Sequence, residues 1–136
     1  MQTEVKDRLW SPVQVSIAAY FGGPIAGGYF LGKNYQRLGL SKQAQRCYAA
    51  GILGTFIITL LLWLLPDEWT THIRPAYIAI AVSSLFTSVA YAYQKPLLEG
   101  APRFSYWWCF LLTISLAIIQ LPIFLASWII LANILY

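Results

Sequence analysis

YFGGPIAGGYFLGKNYQRLG, Tyr20 to Gly39, places five glycines and one proline between Gly22 and Gly32 and then turns basic at Lys33 and Arg37. A glycine-rich run ahead of a lysine raises the question of a phosphate cradle. Neither G-x-x-x-x-G-K-[ST] nor a strand followed by G-x-G-x-x-G is present, so a nucleotide loop is set aside. The glycines instead fall at the spacing of close helix contacts. Gly23/Gly27 and Gly28/Gly32 are both G-x-x-x-G pairs, which let two backbones approach in a membrane. Pro24 removes a hydrogen-bond donor from the same stretch. It therefore reads as a membrane helix weakened in its middle.

The flanking chain carries the same message. Apolar residues make up 59% of it and charged residues 10%, against about 45–50% and about 25% in soluble domains. A soluble core of this size could not hide so much apolar side chain. Residues 13–32, 47–65, 76–93 and 107–132 contain no Asp, Glu, Lys or Arg, and about 20 apolar residues suffice to cross a hydrocarbon core. The expected fold is all-α, a single transmembrane domain over residues 1–136. It has four transmembrane helices, the first glycine-rich and kinked, with a re-entrant hairpin as the alternative. The first block does not read as a cleavable signal, because MQTEVKDRLW mixes acids with bases ahead of it. Cys47 and Cys109 lack a disulfide or metal spacing and read as small apolar residues.

Segment two is expected to start near Ser41, a candidate cap, and to stop at Pro66; segment three starts after Pro75. Pro96, Gly100 and Pro102 predict a loop over 94–106. Pro122, beside Gln120, predicts a kink in segment four. Trp10, Trp63, Trp69, Trp107 and Trp108 lie near segment ends, the place of an interfacial aromatic belt.

Lys33, Arg37, Lys42 and Arg46 in loop one, with Lys95 and Arg103 in loop three, outweigh Arg74 alone in loop two. Loops 33–46 and 94–106 are thus expected in the cytoplasm. If segment one spans, Lys6 and Arg8 fall outside, and the balance is six against three; if it re-enters, the balance improves to eight against one. Against re-entry stands the cost of non-helical backbone in lipid, several kcal/mol for each unsatisfied group. The spanning arrangement, with both termini outside, is the expectation taken.

The candidate packing residues are Gly23, Gly27, Gly28 and Gly32, with Gly51 and Gly54 of segment two as their counterpart. Ser84, Thr87, Ser88 and Tyr91 share one face of segment three and, with Gln120, form a possible polar pathway. Lys33, Arg37, Lys42 and Arg46 suit lipid headgroups or an acidic partner. His72 beside Asp67 and Glu68 reads as a solvated turn, since no further ligand or nucleophile accompanies it. No metal site, cofactor or catalytic constellation is expected, and no nucleic-acid partner.

Ser11, Pro12, Gly22, Gly23, Pro24, Ala26, Gly27, Gly28, Asn34, Tyr35, Leu38 and Gly39 make the pattern S-P, an apolar run, G-G-P-x-A-G-G and N-Y-x-x-L-G. This opening resembles that of a group of small uncharacterised bacterial inner-membrane proteins. The resemblance implies a multi-pass protein of the bacterial inner (plasma) membrane and implies no chemistry. Small multidrug exporters need a carboxylate in the first membrane segment, which this chain lacks. Dual-topology fluoride channels share the glycine-rich opening, but their Phe- and Thr-rich third helix is missing. The functional expectation is a non-enzymatic protein acting by helix–helix contact, with itself as a homo-oligomer or with another membrane protein as an accessory subunit. A small oligomeric ion channel or transporter is the alternative.

Overall fold

A computed structural model describes residues 7–135. Its elements are α1 (Pro12–Arg37), α2 (Ser41–Leu64), the short α3 (Asp67–Thr70), α4 (Pro75–Val89), a π-helical turn (Ala90–Gln94), α5 (Lys95–Leu98) and α6 (Tyr106–Leu135). Helices dominate, and the only β-type pairing among the described residues is one isolated bridge between Leu9 and Arg103. Three helices are long and apolar enough to cross a membrane: Ser41–Leu64, Pro75–Leu98 and Tyr106–Ile134. Their outward faces expose Leu53, Phe56, Leu61, Leu85, Ile118 and Leu125 among many others. Contiguous apolar surface on this scale suits lipid rather than water.

The first segment is not a fourth long helix. Twenty-six residues in one helix would separate its ends by about 39 Å, yet the main-chain N–H of Trp10 donates to Asn34 Oδ1 at 2.8 Å. Near the middle, a Cβ built on Gly27 would lie 3.0 Å from the Cβ of Ala19, eight positions earlier. The chain therefore doubles back, and the reversal sits at Gly23, where φ is 69° and ψ is −165°. That combination is essentially confined to glycine. Residues 12–22 form one arm of a helical hairpin and residues 24–37 the other. The expectation of four transmembrane helices thus gives way to three long helices and a hairpin.

Local chemistry explains each end of the hairpin. Ser11 caps the first arm through a complete capping box: its Oγ accepts from the Gln14 N–H at 3.2 Å, and its own N–H donates to Gln14 Oε1 at 2.9 Å. Pro12 occupies the first helical position, where a missing N–H costs nothing. After Arg37 the chain turns through Gly39 at φ 77°. Ser41 is not the cap of α2: it already lies inside the helix, and Leu40 precedes it without a side-chain cap bond.

The hairpin is the hub. α2, α4 and α6 all pack against α1, whereas α2 and α6 barely touch one another. Ala18, Ala19, Ala26, Phe30 and Leu31 of α1 are fully or almost fully buried. Pro96 does not end the third segment, which continues through the π turn into α5. The turn is closed by the Lys95 N–H bonding back to the Ala90 carbonyl. It ends one helix and lets Pro96 fall in the first turn of the next, where proline is tolerated. α6 runs without interruption through Pro122.

At the base, the segments before α1 and before α6 are tied together. The Leu9 N–H donates to the Pro102 carbonyl at 2.9 Å and the Phe104 N–H to the Leu9 carbonyl at 3.2 Å. Trp10 stacks on Phe104 with ring centroids 4.2 Å apart and meets Phe30 at 4.6 Å. It is 2% exposed, so it belongs to the core and not to an interfacial belt.

Candidate functional site

The arms of the hairpin are about 16 and 21 Å long at 1.5 Å per residue, well short of the three long helices they pack against. Beyond the tip, the three long helices have lost the element they pack on. A cavity of about 530 Å³ opens there, lined by Tyr20, Gly22, Gly23 and Pro24 of the tip and by residues of α2, α4 and α6. Pro75 and Ile78, at the start of α4, place it on the side of the tip away from the base. Its lining is mostly apolar and contains no charged residue.

The polar side chains at this cavity are few: Tyr20, Thr55, Thr59, Thr113 and Gln120. Gln120 from α6 packs over Gly23, with its Nε2 3.0 Å from where a Cβ would stand. Its Oε1 is buried and accepts no hydrogen bond among the described residues. Thr55, Thr59 and Thr113 are buried and also line the cavity. Each spends its hydroxyl proton on its own helix: Thr55 on the Gly51 carbonyl at 3.0 Å, Thr59 on Thr55 at 2.8 Å and Thr113 on Cys109 at 2.7 Å. What they present beyond that bond is oxygen lone pairs.

The glycines serve the hairpin itself. Gly28 meets Gly51 so closely that a Cβ on Gly28 would stand 2.5 Å from the Cys47 carbonyl oxygen and 2.9 Å from the Gly51 Cα. Gly54 packs on the Pro24 ring, Gly32 on Tyr48, and Gly27 on Phe86. All six packing candidates, Gly23 included, thus face neighbours within this chain.

The proposed polar pathway is not assembled in one molecule. Ser84 and Ser88 are exposed on α4 and Tyr91 on the π turn, Thr87 and Ser88 bond back to the Ser83 and Ser84 carbonyls, and only Gln120 lines the cavity. The cross-helix hydroxyl contact is made by Ser83, whose Oγ is 2.9 Å from Ser16 Oγ.

A second polar cluster locks the base. Asn34 Nδ2 donates to the Trp10 carbonyl at 2.7 Å and to Gln94 Oε1 at 3.0 Å, and Gln94 Nε2 donates to the Leu31 carbonyl at 3.0 Å. Gln14 Nε2 reaches the Phe104 carbonyl at 2.8 Å. Arg37 donates to the Arg8 carbonyl at 2.7 Å and lies over Phe104 at 4.5 Å, so it is engaged inside the protein. Lys33 contacts Gln36, while Lys42 and Arg46 remain exposed. Gln14, Asn34 and Gln94 as clamps escaped the sequence reading. The available signal was S-P-x-Q, a capping-box pattern, and amides in otherwise apolar surroundings.

At the opposite end, the Glu68 carbonyl lies 2.6 Å from His72 Nδ1. No His, Cys, Asp and Glu cluster among the described residues could hold a metal.

No family model, curated protein or solved structure matches this chain.

Proposed function

We propose that this chain is a multi-pass protein of a bacterial inner membrane that works without bond-making chemistry, as a membrane-embedded binding or permeation unit for a small solute. The observation that supports this reading is the hairpin tip. Non-helical backbone at mid-depth is tolerated only where it is buried in protein or lines a wet or occupied cavity. Here the tip forms the floor of a cavity large enough for a small molecule. Purified protein reconstituted in liposomes and assayed against a panel of neutral solutes and ions is the direct test. Absence of both flux and saturable binding across the panel removes it.

In this reading the hairpin enters from the cytoplasm. Arg8, Lys33, Arg37, Lys42, Arg46, Lys95 and Arg103 gather at the base, against Arg74 at the other end, the bias favoured on the cytoplasmic side. Lys6 carries the same expectation but lies outside the described residues. The tail, loop 33–46 and loop 94–106 then share the cytoplasmic side. Asp7→Cys, in a background with Cys47 and Cys109 replaced by alanine, should react with an impermeant maleimide only from the cytoplasm. Periplasmic labelling would reverse the arrangement.

A second reading is favoured by the outward hydroxyls of Ser84 and Ser88 and by the nearly bare sides of α6. Both suit helix contact with a second copy or another membrane protein, as homo-oligomer or accessory subunit. Mass determination in mild detergent and identification of co-purifying proteins test it.

A further inference from the structure

We infer that the groove between α2 and α4 binds an anionic phospholipid, whose headgroup meets Arg46 and Lys42 and whose acyl chain lies along the groove toward the hairpin tip. The inference goes beyond the reading of the tip cavity as a solute site and does not depend on it.

α2 and α4 both pack on the hairpin but hardly touch one another. Between them lies a groove of about 470 Å³. Its walls run from Arg46 to Ile58 on α2 and from Val89 back to Val82 on α4, over a floor made by Leu31 and Pro24 of the second arm. The α2 wall is thus about 18 Å long at 1.5 Å per residue. Arg46 is the only charged residue in the lining and stands at one end; every other lining side chain is apolar. The opposite end meets the tip cavity, since Pro24, Ile58 and Val82 line both.

The charge pattern selects the headgroup. Residues 47–65 contain no Asp, Glu, Lys or Arg, so Arg46 is the last charge before α2 enters its apolar run. Lys42 lies one turn earlier on the same side of the helix. Both are exposed, and neither side chain makes a hydrogen bond or ion pair among the described residues. Arg37 and Lys33, by contrast, are engaged by Arg8, Phe104 and Gln36. Two unpaired cations at the edge of an apolar helix attract an anionic headgroup.

The groove selects the rest of the ligand. An acyl chain lying in it touches three elements instead of one and gains dispersion contacts accordingly. A helix is too broad: 18 Å of helix about 10–12 Å across displaces roughly 1,400–2,000 Å³, about three to four times the groove. A partner helix can therefore lie across the mouth but not enter it.

The test places the full-length protein in phosphatidylcholine nanodiscs doped with either of two photoreactive lipids that share a diazirine acyl chain. One carries a phosphatidylglycerol headgroup, the other a phosphatidylcholine headgroup. Labelled residues are mapped by mass spectrometry. The phosphatidylglycerol probe should label the 47–58 stretch of α2 and residues 82–89 of α4 about fivefold more than the phosphatidylcholine probe, the scale of one basic side chain at an anionic headgroup. At the exposed Ile119 and Ile129 of α6 the two probes should label alike. Arg46→Gln should abolish the preference in the groove and leave phosphatidylcholine labelling there unchanged. If that variant does not fold, Lys42→Gln is read in its place, and an undiminished preference counts against the proposal. Ala50→Trp, at an exposed lining position, fills the groove and should lower labelling of 82–89 by both probes. Equal labelling of the groove by the two probes overturns the anionic headgroup. A preference as large on α6 as in the groove shows a general charge effect and overturns the site. Cross-linking of two protein chains through the groove, with no lipid adduct there, assigns it to a partner helix and likewise overturns the proposal.

Discussion

Trp10 and Asn34, 24 positions apart in the chain, exchange two hydrogen bonds: the Trp10 N–H donates to Asn34 Oδ1 at 2.8 Å, and Asn34 Nδ2 donates to the Trp10 carbonyl at 2.7 Å. One amide side chain thereby replaces a missing strand partner and closes the open end of the hairpin. The same Nδ2 group reaches Gln94 at 3.0 Å, so the clamp includes the π turn after α4. Asn34→Leu fills similar volume but leaves the Trp10 main-chain pair and Gln94 Oε1 unmatched in a buried site. Each orphaned group costs about 1–3 kcal/mol. The variant should unfold well below the parent temperature in detergent. An unchanged midpoint would show that water replaces the clamp.

Gln14 holds two partners at once, the N–H of Ser11 through Oε1 and the carbonyl of Phe104 through Nε2. Gln14→Glu keeps the acceptor for the cap and removes the donor for Phe104, bringing a carboxylate against a carbonyl. Gln14→Ala removes both. Glu should therefore be at least as disruptive as Ala despite conserving the capping box, because a buried repulsion exceeds the loss of a cap worth about 1 kcal/mol. Thermal midpoints of the two variants decide it. A Glu variant as stable as the parent would mean that the tie to Phe104 contributes little.

Gly28 tests what the small residues are for. A Cβ there meets backbone, the Cys47 carbonyl and the Gly51 Cα, and neither is the end of a flexible side chain. Gly28→Ala should push the second arm off α2 and destabilise the fold by about 1–3 kcal/mol. The loss should appear in the monomer's unfolding and not as a change of oligomer size. A variant with parental stability but altered oligomeric mass would instead assign Gly28 to an intermolecular face.

The three long helices were legible because their boundaries are written in charge and proline: Pro66 closes α2, Pro75 opens α4, and the blocks between carry no charge. The hairpin was legible only in part. Twenty-six residues of hydrophobic, glycine-rich helix have the length of a span, and nothing in their periodicity says that residue 27 returns to residue 19. The basic residues did favour re-entry. The cost of non-helical backbone in lipid weighs the other way, and close packing of the second arm offsets it. With glycine at Gly27, Gly28 and Gly32 the second arm lies so close to Phe86, to the α2 backbone and to Tyr48 that little of it is left uncovered. The polar clamps were hidden for another reason. Gln14, Asn34 and Gln94 are far apart in sequence, and only the doubled-back chain brings them into one cluster.

Gly23 separates dihedral strain from crowding. Its φ of 69° with ψ of −165° is prohibitive for a residue with a side chain, a cost of about 1–3 kcal/mol. A Cβ would also stand 3.0 Å from Gln120 Nε2 and 3.2 Å from its Oε1. Gly23→Ala should therefore be destabilised for two reasons, and Gln120→Ala relieves only the second. In the double variant most of the loss should persist, because the turn itself demands glycine. The measurement is a double-mutant cycle on unfolding midpoints. A coupling energy that restores the parental midpoint would show that the reversal tolerates a side chain and that the Gln120 contact, not the backbone, selects glycine at the tip.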